Sequence, residues 1–197
     1  MTLDHLVYAT PDLEESVRLI AKQTGVRPVE GGPHPGLGTR NHLLGLGELR
    51  YLEIIGPDPD QPEPERPRPF GIDDLTEPCL AAWAVRAADI EARVARARAQ
   101  GYDPGPIEPL SRRTPDGDVL RWRLTFPYEA VVPFLIDWGR TPHPARRLPV
   151  VPLTEFAGTH PEPAEARTRL AALGVELDVR AGAPGLVAII GGTTTLT

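Results

Sequence analysis

The chain has 197 residues, of which 41% are hydrophobic and 24% charged, and its formal net charge is -6. That length suits one domain or two small fused units, with ample material for a core. The acidic balance disfavours a nucleic-acid binder, which needs a positive surface to neutralise phosphates. The single cysteine, Cys79, excludes an intramolecular disulfide and a thiolate metal cluster.

Residues 3–8 read as a first strand. Thr10 suits a helix N-cap and Pro11 the first helical position, with Asp12 and Glu14 at the positive helix end. Leu13, Val17 and Ile20 then form one apolar stripe, and Gly25 ends the helix. Residues 31–38, rich in Gly and Pro, read as a loop. Residues 39–46 and 50–55 read as a hairpin. Between positions 57 and 69 six prolines alternate with acidic residues, the composition of an extended linker.

After the linker the order recurs. Residues 80–85 are strand-like, Asp89 can cap a helix carrying Ile90, Val94 and Ala97 on one face, and Gly101 closes it. Turn chemistry follows at 104–106 and 115–117, then strands at 120–126 and 131–138. Tyr8 to Glu14 can be laid on Val85 to Glu91 with an offset of 77 residues, the second helix being one residue shorter. The expectation is an α+β fold: tandem βαβββ modules forming a cupped mixed sheet around one pocket. The boundaries are 1–57 for the first module, 58–79 for the linker, 80–145 for the second module and 146–197 for a C-terminal segment. That segment reads as strand 153–157, helix 161–173 and strands 177–180 and 186–190, a βαββ-like extension. It is either a partial third module or an ordinary α+β appendage.

The tandem units, Leu3-Asp4-His5-Leu6-Val7-Tyr8, the stretch His34 to Asn41, Tyr51-Leu52-Glu53-Ile54-Ile55-Gly56, and Pro133 to Gly139 with Pro142-His143-Pro144 resemble the vicinal oxygen chelate superfamily. Its members include glyoxalase I, extradiol dioxygenases and bleomycin or fosfomycin resistance proteins, and the chain looks like a glyoxalase-like domain protein over about residues 3–145. The resemblance implies metal ligands from the first and fourth strands of each module. His5 and Glu53 match in the first module. In the second, the 77-residue offset puts Ala82 at the place of His5, and aligning Gly56 with Gly139 puts Ile136 at that of Glu53. Two of the four positions therefore cannot bind a metal.

The residues then allow two site chemistries. A divalent metal takes three protein ligands when it keeps open positions, so His5 and Glu53 need a third, from His42, His34, His143 or Asp137. His42 and Asn41 are strand neighbours, so only one of them faces the pocket. Without metal, Glu53 between Leu52 and Ile54 is a desolvated carboxylate suited to general acid or base work, with His5 orienting it or sharing its proton. Trp83, Trp122, Phe134 and Trp138, together with Asn41 and His143, are the candidate substrate contacts. Arg121 and Arg123 share the face opposite Trp122 and read as solvated. No phosphate-loop or G-x-S-x-G pattern is present, so no nucleotide cofactor or hydrolase serine is indicated.

The expected function is a glyoxalase-like enzyme, an isomerase or lyase that transfers a proton on a substrate with adjacent oxygens. The alternative is a non-catalytic binding protein of the antibiotic-binding type. The expected partner is a small molecule, with neither nucleic acid nor membrane, and the chain is a monomer or homodimer. The N-terminus carries no basic region followed by an apolar stretch and no run approaches the roughly 20 apolar residues of a membrane span, so the expected location is the cytoplasm.

Overall fold

The computed structural model describes residues 2–126 and 129–197. The first half forms β1 (Leu3–Ala9), α1 (Leu13–Thr24), β2 (Val29–His34), β3 (Thr39–Gly47) and β4 (Arg50–Pro57). The second half repeats that order as β5 (Cys79–Arg86), α2 (Ile90–Ala99), β6 (Ile107–Arg113), β7 (Val119–Thr125) and β8 (Phe134–Asp137). In each half the first strand pairs in parallel with the last, β1 with β4 and β5 with β8. β1 and β5 join the halves antiparallel. The resulting eight-stranded sheet runs β2-β3-β4-β1-β5-β8-β7-β6, the second half mirroring the first.

The sheet curls until its edges meet. Gly32 of β2 has φ 126°, and a Cβ there would stand 2.1 Å from the Arg113 carbonyl oxygen of β6. Only glycine tolerates both the conformation and the approach. The expected loop at 31–38 is thus half strand: β2 keeps its ladder with β3 through Gly32 and His34, and the turn is confined to 35–38.

Both helices start on an aspartate. The Asp12 side chain accepts from the Glu15 N–H at 3.0 Å, and Asp89 accepts from the Ala92 N–H at 3.0 Å. The first cap is therefore Asp12, with Thr10 and Pro11 lying before the helix. The Thr10 hydroxyl instead bonds the Ser16 hydroxyl at 2.7 Å. α1 has 12 residues and α2 has 10, so the second helix is shorter by two residues, against one expected.

The proline-rich segment is tied down along its length. Gln61 Nε2 donates to the Thr39 carbonyl at 3.0 Å and Arg68 Nε to that of Gly38 at 3.0 Å. It ends in a short 3-10 turn, Pro69–Asp74.

The C-terminal segment forms β9 (Leu153–His160), α3 (Pro163–Leu173), β10 (Asp178–Ala181), β11 (Gly185–Ile190) and β12 (Thr194–Leu196). Its sheet runs β10-β9-β11-β12. The element order is that of the other two units, but β10 pairs directly beside β9. In the first half the strand after the helix lies at the far edge, three places from β1. This sheet covers the outer face of the large one, where the Trp83 ring meets Phe156 edge-on at 5.1 Å.

Strand alternation sorts the large sheet into two faces. Leu6, Leu52, Ile54, Val85 and Leu135 point outward under the helices and are fully buried. Each such side chain contributes roughly 1.5–3 kcal/mol of hydrophobic stabilisation. Val7, Tyr51, Ile55, Trp122, Phe134 and Ile136 point inward and form a second cluster around the concave face.

Candidate functional site

The concave face encloses a cavity of 50 Å³. The first half supplies His5, His34, Asn41, Tyr51 and Glu53 to its wall, and the second half Arg112, Trp122, Leu124, Phe134, Ile136 and Trp138. Phe70, from the turn after the proline-rich segment, also lines it. His5, Glu53 and Asn41 arrive there because they share strand parity with Val7, Ile55 and Leu43 of the inner cluster.

Glu53 is the centre of the polar wall, its side chain 12% exposed. Asn41 Nδ2 donates to Glu53 Oε1 at 2.6 Å and lies 3.2 Å from His34 Nε2. With the amide as donor, His34 accepts at Nε2 and donates from Nδ1 to the Thr39 hydroxyl at 3.0 Å. Burial pushes the His34 pKa below its ordinary value, the nearby Glu53 charge opposing. His34 is therefore neutral at pH 7, consistent with that donor pattern.

The other carboxylate oxygen, Glu53 Oε2, faces His5 Nε2 at 3.7 Å. His5 donates from Nδ1 to Asp4 Oδ1 at 2.8 Å, so in the neutral ring Nε2 is the nitrogen with the lone pair. Two acceptors at that separation are joined only through a hydrogen that one of them carries or a third group supplies. The His5 ring is stacked on Tyr51, centroids 4.6 Å apart, and meets Phe134 edge-on. Burial, then the charges of Asp4 and Glu53, hold the Tyr51 hydroxyl well above its ordinary pKa, so it remains protonated.

Asp4 is fully buried and collects donors from four residues. Besides His5, it accepts from Arg86 Nε at 2.8 Å, from Trp138 Nε1 at 3.2 Å and from His143 Nε2 at 3.0 Å. The Ala145 N–H donates to His143 Nδ1 at 3.3 Å, and His143 Nε2 stands between Asp4 Oδ2 and Arg86 Nη2, the latter 2.9 Å away. Burial alone would raise the Asp4 pKa, but hydrogen bonds from His143 and His5 hold it well below the ordinary carboxylate range. Asp4 is thus an anion that locks the rotamer and tautomer of His5.

The sequence-predicted residues divide clearly. Glu53, His5, Asn41, Trp122, Phe134 and Trp138 meet at the cavity. Trp83 does not: it lies on the outer face and donates from Nε1 to the Val131 carbonyl at 2.9 Å. Its position has the parity of Val85, not of Ala82 and Ala84. His143 lines a separate open groove of 1220 Å³ that shares Leu110, Trp122 and Trp138 with the cavity. His42 points to the outer face beside Leu44, near Glu14 and Glu30, with Nδ1 lacking a partner. Asp4, Tyr51 and Arg112 are cavity or supporting residues outside that set, and His34, expected as a possible third metal ligand, lines the cavity. The doublet Asp4-His5 is the one sequence signal that could have drawn attention to the first of them.

His5, Glu53 and His42 therefore do not come together as metal ligands. Among the described residues no group of three or more His, Cys, Asp or Glu side chains is arranged to hold an ion. The donor chemistry gives the reason. The Asn41 amide hydrogen-bonds both Glu53 Oε1 and His34 Nε2. A divalent ion does not fit among these groups without displacing that amide.

A family described as a glyoxalase-like domain matches residues 3–174. A hypothetical protein from Staphylococcus aureus superposes with a TM-score of 0.64 at 13% identity, over 98% of this chain and 87% of that one. Methylmalonyl-CoA epimerase from Mycobacterium tuberculosis gives a TM-score of 0.47 at 21% identity, over 71% of this chain and 88% of that one. The Streptomyces coelicolor epimerase gives 0.48 at 20% identity, over 73% and 99%. Curated protein sequences give no match. Among the described residues no helix is long and apolar enough to cross a membrane.

Proposed function

We propose that this chain, which belongs to the glyoxalase-like domain family, is a small-molecule enzyme moving a proton to or from its substrate through Glu53. One observation carries this reading. Glu53 stands in the wall of the cavity, 12% exposed, with Oε1 held by Asn41 and Oε2 turned towards His5 Nε2. A fold supports many chemistries, so the reading rests on these groups and not on the family.

For a substrate with adjacent oxygens, the carbon beside a carbonyl is the acidic position. Its C–H bond breaks, the proton passes to Glu53 Oε2, and the electron pair moves onto the carbonyl oxygen. Return of the proton from Glu53 to the neighbouring carbon, on the same face, gives an isomer, and loss of a leaving group with the electron pair gives a lyase product. His5 accepts a proton at Nε2 from a substrate hydroxyl or from Glu53, and Asp4 stabilises the imidazolium that forms. The aromatic wall excludes water from the exchanged proton.

Replacing Glu53 by Gln keeps size and hydrogen bonding but removes the base. The expected result is a loss of turnover, or of substrate C–H exchange in D2O, by about 10²–10⁴-fold. Exchange that persists unchanged in the variant refutes the assignment. A second reading is favoured by the second half, where Ile136, paired with Arg86 as Glu53 is with Val7, stands at the place of Glu53 and Ala84, rather than the expected Ala82, at that of His5; neither can ionise. It is a non-catalytic small-molecule binder, and tight ligand binding by the unaltered protein without any C–H exchange supports it.

A further inference from the structure

Arg112 is an unusual occupant of this cavity. It lies on β6, lines the wall beside Trp122 and Leu124, and is 5% exposed. Among the described residues it forms no ion pair; its hydrogen bond runs from Nη1 to the Gly31 carbonyl across the seam between β6 and β2. A guanidinium has five N–H donors, so most of them meet no protein acceptor. Burial lowers the Arg112 pKa, with the nearby Tyr51 and Glu53 opposing. Glu53 acts on it through space but forms no ion pair with it, because its oxygens face Asn41, His34 and His5. An unpaired buried charge is costly and is sustained when the partner is supplied from outside.

The other arginines near the site differ. Arg121 is exposed, and Arg123 is paired with Glu91 and Asp137 on the outer face. Size narrows the ligand. A cavity of 50 Å³ is well under the roughly 150 Å³ that holds benzene, and at about 10–15 Å³ per water-sized group it takes some three to five of them, the span of a two- or three-carbon acid. A planar carboxylate fits a guanidinium fork with two parallel hydrogen bonds.

We propose that Arg112 is the anion-recognition residue of this cavity and that the ligand is a small carboxylic acid bearing an oxygen on the next carbon, a 2-oxo or 2-hydroxy acid. The carboxylate pairs with Arg112, and the short carbon chain reaches the Glu53 side of the cavity. The anion site stands on Arg112 alone; the assignment of the reacting carbon rests on the reading of Glu53 given above. For a 2-oxo acid, the C3–H bond breaks, its proton goes to Glu53, and the electron pair ends on the C2 oxygen beside the carboxylate. The new negative charge then lies within the field of the same guanidinium.

The test uses pyruvate and pyruvamide, which match in shape and differ in charge. Binding to the full chain is measured by titration, and C3 hydrogen exchange is followed in D2O by NMR. The expected result is at least about tenfold tighter binding of pyruvate, since a site built for an anion rejects the neutral analogue. Arg112→Met abolishes the preference and Arg112→Lys keeps part of it, whereas Glu53→Gln retains it and loses exchange. Equal affinity for the two probes, no binding of either to the unaltered chain, or a preference that survives Arg112→Met overturns the proposal. Should Arg112→Met fail to fold because the seam opens, the pair of probes on the unaltered chain and on Arg112→Lys still decides. A charge preference without exchange in the unaltered chain counts against Glu53 and leaves the anion site standing.

Discussion

The two halves of the large sheet share one plan and carry opposite chemistry. Each is a βαβββ unit opened by an aspartate-capped helix, and the caps stand 77 residues apart. The inner face of the first unit presents His5, Asn41, Glu53 and His34, while that of the second presents Trp122, Phe134, Ile136 and Trp138, with Arg112 as its one charged member. Packing against the helices constrains the outer face, and it is alike in both halves. The inner face is constrained by what the cavity holds, so it diverges. The comparison teaches that duplication built the container, and that chemistry was placed on one wall with shape on the other.

The Asp4 cluster is where the two walls are tied together, since its donors come from β1, β5 and the segment after β8. Asp4→Ala leaves Arg86 and two histidines without their anion. The expected cost is about 3–5 kcal/mol in urea unfolding, the largest effect of any single change considered. The sign of the pH dependence follows. The Asp4 pKa is lowered by folding, so its contribution is complete above the unfolded value of 3.8 and is lost as pH falls below it. The His34 pKa is also lowered, because its neutral form is the one the fold accommodates. Unfolded chains then bind the extra proton, and stability falls as pH drops below 6.5. Urea midpoints from pH 8 to pH 3 would show two declines, and His34→Gln should remove most of the first. A flat profile between pH 7 and pH 5 contradicts this account.

The next effect separates the tryptophans. Trp83→Phe removes the donor to the buried Val131 carbonyl and should cost about 1–3 kcal/mol, with ligand affinity unchanged. Trp122→Phe should do the reverse, lowering affinity with a smaller stability loss. Thermal melts and ligand titrations of both variants check the pair, and a Trp83→Phe that weakens binding would put that side chain back at the cavity.

Strand parity made much of this legible in advance. Once β1, β3, β4, β7 and β8 are placed, alternation fixes which of Asn41 and His42, or Trp122 and Arg123, faces in. Trp83 lies outside because Ala82 and Ala84 take the inner face of β5, and aromatic character alone does not say which face a strand residue takes. Asp4 was hidden for a different reason. Alternation places neighbours on opposite faces, but the β1–β5 ladder shifts register between Leu3 and His5, and Asp4 and His5 then bond each other. His34 is legible as a candidate ligand but not as a strand residue of the wall, because the Gly-Gly-Pro run before it reads as loop until β3 supplies a ladder. Arg112 lay between two turn signals, in a strand whose role depends on the seam with β2. The C-terminal element order was readable, but its strand order was not, because pairing depends on which edge α3 returns to.

The smallest expected effect is also the sharpest test of equivalence between the halves. Asp12 and Asp89 each accept one backbone N–H at 3.0 Å from the third helical residue onward of its cap, and both sites are exposed. Replacement by Ala should cost about 1 kcal/mol at either site. The helices are far enough apart in sequence and share no cap partner, so the double variant should lose the sum. Their surroundings are not the same, however: α1 lies over β4, whereas α2 also packs on α3 of the C-terminal segment. If Asp89→Ala costs clearly less than Asp12→Ala in paired urea titrations, α2 is held mainly by that extra packing and its cap has become dispensable. Equal costs would mean that each unit still starts its helix by its own local chemistry, whatever has since been added around it.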